Sequence, residues 1–147
     1  MAFSLLPMSV PTILYVEEDP DDVSSFRRAL RALNVDCNLR TLSNIASAKS
    51  YLAGKPPYND RDRFPMPKLL ITDMTIAATG EACMDLISWI RSTPEIATLP
   101  VLCATGNDQS SMPEDFARSG ITCHQKTSEM TDIASAVKTA LTGIKNG

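Results

Sequence analysis

Three parts of this 147-residue chain carry side chains suited to the chemistry of charged oxygens: the acidic run Glu17-Glu18-Asp19, the isolated Asp73, and the pair Thr105 and Lys126. Carboxylates with no Cys or His beside them are hard donors. They suit Mg²⁺, which takes one or two carboxylates, keeps several waters and fills the rest of its shell with phosphate oxygens. A hydroxyl and an ammonium next to such an ion would bind the remaining oxygens of a phosphoryl group. If one fold brings these positions together, the carboxylates repel one another unless a cation or a proton joins them. The chemistry that follows is transfer of a phosphoryl group onto one of them, with Asp73 as nucleophile and Glu17 and Glu18 holding the metal.

The elements that must position these residues can be read from the pattern around them. Short β-rich runs alternate with segments of helical period, as in βα units around a mostly parallel sheet. Thr12–Val16 reads as a first, buried strand, and Asp19-Pro20 supplies a helix cap with proline in the first turn. Val23, Phe26, Leu30 and Leu33 then form an apolar stripe at spacings of three and four. Val35, Cys37, Leu39 and Thr41 alternate as in an edge strand with one buried face. Ser43 is positioned to cap a second helix carrying Ile45, Ala48 and Leu52, which Gly54 ends.

The proline-rich stretch from Gly54 to Pro67 reads as a long surface loop, because Lys68–Asp73 is a central strand that needs the earlier strands as neighbours. A third helix carries Cys83, Leu86, Ile87 and Ile90, and Leu99–Thr105 is a fourth strand. Pro113–Ser119 is expected to form a short fourth helix and Ile121–Gln125 a fifth strand. Ile133, Val137, Ala140, Leu141 and Ile144 form the buried stripe of a terminal helix. Five such units give a flavodoxin-like, doubly wound three-layer α/β domain with parallel strand order 2-1-3-4-5. Residues that end parallel strands share one edge, so Glu17, Glu18, Asp73, Thr105 and Lys126 become neighbours there.

Composition narrows the classes further. At 44% hydrophobic and 21% charged, the chain suits one domain, read as residues 11–147 after an extension of residues 1–10. A formal charge of −3 offers no basic footprint for nucleic acid or anionic lipid, which leaves a protein or a small ligand as partner. Cys37, Cys83, Cys103 and Cys123 form no Cys-x-x-Cys pair and His124 is the only histidine, which disfavours zinc. The cysteines read as buried small hydrophobes in a reducing cytosol, and His124 as a polar residue packed in the fifth strand. Met1–Val10 has no basic leader and is too short to span a bilayer, so a cytoplasmic location is expected.

The residues also carry a resemblance over nearly the whole chain, from about Pro11 to Ile144. Glu17-Glu18-Asp19-Pro20, the LLITD run ending in Asp73, Thr105 after PVLCA, and Lys126 resemble, in order and separation, the motifs of the receiver domain of two-component response regulators. The Pro-Pro-Tyr loop before the third strand resembles that of small single-domain regulators associated with phytochrome-type and other hybrid kinases.

The resemblance implies that Asp73 is the phosphoacceptor, with Thr105 as the switch hydroxyl and Lys126 as the phosphoryl-binding lysine. It implies Mg²⁺ held by Glu17, Glu18, Asp73 and the backbone carbonyl of Thr75, with Thr75 and Asn107 bordering the phosphoryl. It further implies a phosphohistidine donor on a sensor histidine kinase or histidine phosphotransfer protein, a downstream protein target, and a homodimer face on the fourth and fifth helices. The protein would then be a signalling domain whose only enzymatic activity is its own phosphorylation and dephosphorylation.

The chain departs from the family pattern at four places. Glu18 stands where Asp is usual, Ile76-Ala77 replaces a Met-Pro turn, Thr127 replaces the proline after the lysine, and Cys123 replaces an aromatic that moves with the switch hydroxyl. Two classes of function therefore stay open: a phosphorylation-dependent relay, and a pseudo-receiver that keeps the fold and the docking face with little phosphotransfer. A metal-dependent phosphatase is disfavoured, because Asp73-Met74-Thr75 lacks the second aspartate such enzymes use as acid and base.

Overall fold

Residue-by-residue alternation along β1 (Thr12–Val16) sets the layers of this fold. In the computed structural model, which describes residues 10–73, 81–106, 121–126 and 130–146, all five residues of β1 are buried. Ile13 and Tyr15 enter one core and Leu14 and Val16 the other, as period two requires of a strand covered on both faces. β3 (Leu69–Asp73) is equally buried, and Leu69 and Ile71 oppose Leu70 in the same way. The sheet is parallel with order β2-β1-β3-β4-β5, as expected, with β2 at Asn38–Leu42, β4 at Val101–Thr105 and β5 at Thr122–Gln125. The direction of strand addition reverses between β1 and β3, and that switch point opens a crevice beyond the carboxyl ends of the strands.

Helix α1 (Pro20–Ala32) and the C-terminal helix (Thr131–Asn146) cover one face, with Phe26, Leu30, Ile133 and Val137 packed on Ile13, Tyr15, Leu69 and Ile71. Helices α2 (Ile45–Ala53) and α3 (Glu81–Ser92) cover the other with Ala48, Leu52, Leu86 and Ile87. The result is a flavodoxin-like three-layer α/β architecture. No helix among the described residues is long and apolar enough to cross a membrane.

Local chemistry explains where elements begin and end. Asp19 caps α1 by accepting a hydrogen bond from the Asp21 backbone N–H at 2.9 Å, and Pro20 follows with its φ already suited to a first turn. The chain leaves α1 through Asn34 at φ 57°, while the Val35 N–H bonds back to the Leu30 carbonyl. Val35 and Cys37 are thereby spent on the exit of α1, and β2 starts only at Asn38, whose N–H bonds to the Pro11 carbonyl. This shortens the strand expected from the Val35–Thr41 alternation. Asn44, rather than Ser43, caps α2, accepting from the Ser47 N–H at 2.8 Å.

The loop after α2 is tied down rather than free. Gly54 ends α2 at φ 69°, and a Cβ there would come within 3.1 Å of the Arg61 guanidinium. Arg61 donates to the Leu52 and Phe64 carbonyls, and the Tyr51 hydroxyl donates to the Pro65 carbonyl at 2.8 Å. The rings of Tyr51, Tyr58 and Phe64 pack together, and Met66 beyond them is 38% exposed. Thr75, Asn107, Thr127 and the helix expected over Pro113–Ser119 lie outside the described residues.

Candidate functional site

Strand register brings the site together. Val16 pairs with Thr72, so Glu17 and Asp73 come level at the ends of β1 and β3, and Asp73 pairs in turn with Ala104. The Glu17 N–H continues the ladder to the Leu42 carbonyl at 2.9 Å, and the Lys126 N–H continues the β4–β5 ladder to the Thr105 carbonyl at 2.6 Å. Glu17 shares parity with Ile13 and Tyr15, and Asp73 with Leu69 and Ile71, so both lie on the α1 side of the sheet. Lys126, two residues beyond His124, reaches the same place from β5.

There the Lys126 ammonium meets three carboxylates. Its Nζ lies 2.7 Å from Asp73 Oδ2, 2.7 Å from Asp22 Oδ2 and 3.3 Å from Glu17 Oε1. Carboxylate oxygens of Glu17, Asp22 and Asp73 all fall within 4.8 Å of one another. Glu17 and Asp73 are 4% and 2% exposed, so this charge sits largely out of water. Thr105, fully buried, ends β4 one residue beyond the Ala104 that faces Asp73.

Asp22 is the member that sequence reading missed. It lies in the first turn of α1, where a carboxylate is favoured by the helix dipole, and that placement alone gives it a structural reason to be there. The signal that could have found it is its spacing: capping by Asp19 fixes the turn that carries Asp22 inward over the end of β1. Glu18, expected as a metal ligand, is exposed and lies outside the trio of close carboxylates. Alternation explains this, because a residue after buried Glu17 points away from it. Glu18 instead borders an open cleft of about 480 Å³ with Pro20, Ser24, Ser43 and Tyr58. Asp19 is occupied as the helix cap.

Three carboxylates against one ammonium leave excess negative charge. Burial pushes the Glu17 carboxyl up to about 9, and hydrogen bonding to Asp73 together with the Asp73 charge adds to the shift. Without a cation, the site at neutral pH therefore retains a proton on this pair. For Lys126, burial disfavours the ammonium, but its hydrogen bonds to Asp22 and Asp73 outweigh that and hold its pKa above the ordinary range. Beneath the cluster the buried Tyr15 hydroxyl is kept neutral, by burial first and by the Glu17 charge second. Glu17 Oε2 is buried and accepts no hydrogen bond. An orphaned, buried carboxylate oxygen beside two others fits a hard divalent cation, which would take the place of the proton.

No protein-family model matches the sequence, and no curated protein matches it. Solved structures do share its fold. The response regulator RPA3017 in red light signalling of R. palustris superposes with a TM-score of 0.76 at 16% identity, covering 88% of this chain and 90% of that one. The Mn²⁺-bound form of response regulator Rcp1 gives a TM-score of 0.66 at 19% identity, covering 87% and 91%. The phosphorylated cyanobacterial phytochrome response regulator RcpA gives 0.67 at 19% identity, covering 88% and 92%. The chain has the fold of the response-regulator receiver domain.

Proposed function

We propose that this protein is a single-domain phosphoacceptor of a two-component relay, in which Asp73 takes a phosphoryl group from a phosphohistidine on a sensor histidine kinase or histidine phosphotransfer protein. The observation that carries this reading is the 2.7 Å contact between Asp73 and Lys126 inside a trio of carboxylates, two of them buried, at the switch point of the sheet. An Asp73 oxygen attacks phosphorus in line; the new P–O bond forms as the P–N bond to the donor imidazole breaks. Lys126 holds the Asp73 carboxylate at 2.7 Å before transfer and binds a phosphoryl oxygen after it. The Thr105 hydroxyl is the second donor to that group.

Glu17, Asp22 and Asp73 would hold a divalent cation, with Glu18 at the rim and the Thr75 carbonyl as a further ligand. Such a cation, when bound, neutralises charge on the incoming phosphoryl oxygens. Mg²⁺ is the natural ion for hard oxygen donors used with a phosphate, and one neighbour of the same fold was solved with Mn²⁺. Another was solved phosphorylated. The phosphorylated protein signals by binding a protein target, with β5 and the C-terminal helix as the candidate docking and homodimer face. Four cysteines outside any disulfide suit a reducing cytoplasm.

A second reading, a pseudo-receiver that binds partners with little phosphotransfer, is favoured by two features. Glu18 stands outside the carboxylate trio, and Cys123 stands where a mobile aromatic would relay the signal. Intact-mass spectrometry after incubation with a small acyl phosphate and Mg²⁺ decides between them. A gain of about 80 Da that requires both Mg²⁺ and Asp73, and is lost in Asp73→Asn, establishes the phosphoacceptor. No adduct on the folded protein establishes the pseudo-receiver.

A further inference from the structure

One residue before the acidic row, on the opposite face of the sheet, a second row of reactive groups crosses three strands. Register pairs Thr72 on β3 with Cys103 on β4, and Cys103 with Cys123 on β5. Cys83, in the first turn of α3, closes over the row with its sulfur 3.5 Å from the Thr72 hydroxyl. Cys103 shares its buried cluster with both Cys83 and Cys123. Three of the four cysteines thus meet at one place, and Cys37 packs in the core on the other side of the sheet.

The three thiols differ in access. Cys83 and Cys103 are buried at 0% and 1% exposure, whereas Cys123, on the short edge strand β5, is only partly buried. We propose that Cys103 and Cys123 form a reversible oxidation site for hydrogen peroxide, with Cys123 as the thiol oxidised first and Cys103 as the thiol that resolves it. The Cys123 sulfur attacks one peroxide oxygen, the O–O bond breaks, and Cys123 becomes a sulfenic acid with release of water. The Cys103 sulfur then attacks the Cys123 sulfur, its proton leaves with the sulfenic hydroxyl as a second water, and the disulfide forms. Two thiols and one peroxide become one disulfide and two waters.

Two further features support these roles. Hydrogen bonding from Cys103 holds the Cys123 pKa below its ordinary value, while the same bond raises that of Cys103. The more exposed sulfur is therefore the better nucleophile. Adjacent strands run about 4.8 Å apart, inside the Cα range a disulfide spans. Directly opposed Cβ atoms at that spacing are wider than the roughly 3.8 Å a relaxed bridge prefers. The bond must draw β4 and β5 together, and a strained bridge is readily reduced.

The test uses the whole reduced protein, titrated with hydrogen peroxide and read by intact mass, thiol alkylation and peptide mapping. The expected product is lighter by about 2 Da, protects two of the four thiols from alkylation, yields a linked Cys103–Cys123 peptide, and reverts with dithiothreitol. Cys123→Ser, at a partly exposed position, should abolish the mass loss, and Cys37→Ser should leave it unchanged. Cys103→Ala, checked for folding by circular dichroism, should divert Cys123 to irreversible sulfinic acid. Retention of all four alkylatable thiols, a bridge through Cys37 or Cys83, or sulfinic acid on wild-type Cys123 without a bridge would each overturn the proposal.

Discussion

Asp22 approaches the Lys126 ammonium as closely as Asp73 does, at 2.7 Å, although it comes from a helix turn rather than from a strand end. The lysine is thus shared between the proposed phosphoacceptor and a carboxylate that competes for it. Cation binding by Glu17, Asp22 and Asp73 would draw Asp22 toward the ion and free Lys126 for an incoming oxygen. Asp22→Asn is expected to weaken Mg²⁺ or Mn²⁺ binding by about tenfold, the usual cost of losing a metal-site oxygen or its support. Glu18→Gln, at an exposed position, should change it less than about twofold. Isothermal titration of both variants against wild type reads the difference; equal losses would return Glu18 to the metal shell.

Lys126 is the only ammonium among the described residues within bonding reach of this trio, and its side chain is 12% exposed. Removing it leaves buried carboxylates uncompensated, a change that typically costs on the order of 3 kcal/mol. Lys126→Met should therefore lower the urea midpoint in chelator, and saturating Mg²⁺ should restore part of the loss because the ion supplies the missing positive charge. A variant as stable as wild type in chelator would show that the site has already taken up protons in place of the lysine.

Most of the fold was legible because its signals are local and repeated. The buried runs Thr12–Val16 and Leu69–Asp73, the Asp19-Pro20 cap and the stripe through Phe26 and Leu30 each announce one element, and the parallel order follows from their alternation. Glu17, Asp73 and Lys126 were legible as a set because strand ends in a parallel sheet share an edge. Asp22 was not, since a carboxylate in the first turn of a helix already has a dipole reason to be there. The place of Glu18 outside the close trio was not legible either, because adjacency in sequence to Glu17 means opposition in space on an extended chain. The late start of β2 was hidden too: Val35 and Cys37 alternate like strand residues but belong to the exit from α1.

The raised Glu17 pKa fixes a pH dependence. Its carboxyl titrates near 9 in the folded protein and near 4.5 in the ordinary case, so the folded state holds the proton more tightly than the unfolded one. The associated stability is fully present below about 4.5 and is lost as pH rises through about 9. In chelator, the urea midpoint should fall steadily across this window. Glu17→Gln, which cannot titrate, should flatten the dependence. So should saturating Mg²⁺, because the ion replaces the proton. A midpoint in chelator that rises with pH would mean that Glu17 is ionised in the folded protein.

The loop between α2 and β3 offers a prediction separable from the acidic site. Arg61 holds both ends of that loop through the Leu52 and Phe64 carbonyls and lies 5.8 Å from the centre of the Tyr51 ring. Its guanidinium also fills the space over Gly54, so α2 and the loop are fastened by one side chain. Arg61→Ala removes two hydrogen bonds to backbone carbonyls and should cost about 1–2 kcal/mol, read as a lower urea midpoint. Because no contact joins Arg61 to Glu17, Asp22, Asp73 or Lys126 among the described residues, acyl-phosphate labelling of Asp73 should keep its wild-type rate. Arg61→Lys retains the charge but cannot span both carbonyls with a planar fork, so it should recover less than half of the lost stability. Full recovery by lysine would assign the role of Arg61 to charge alone.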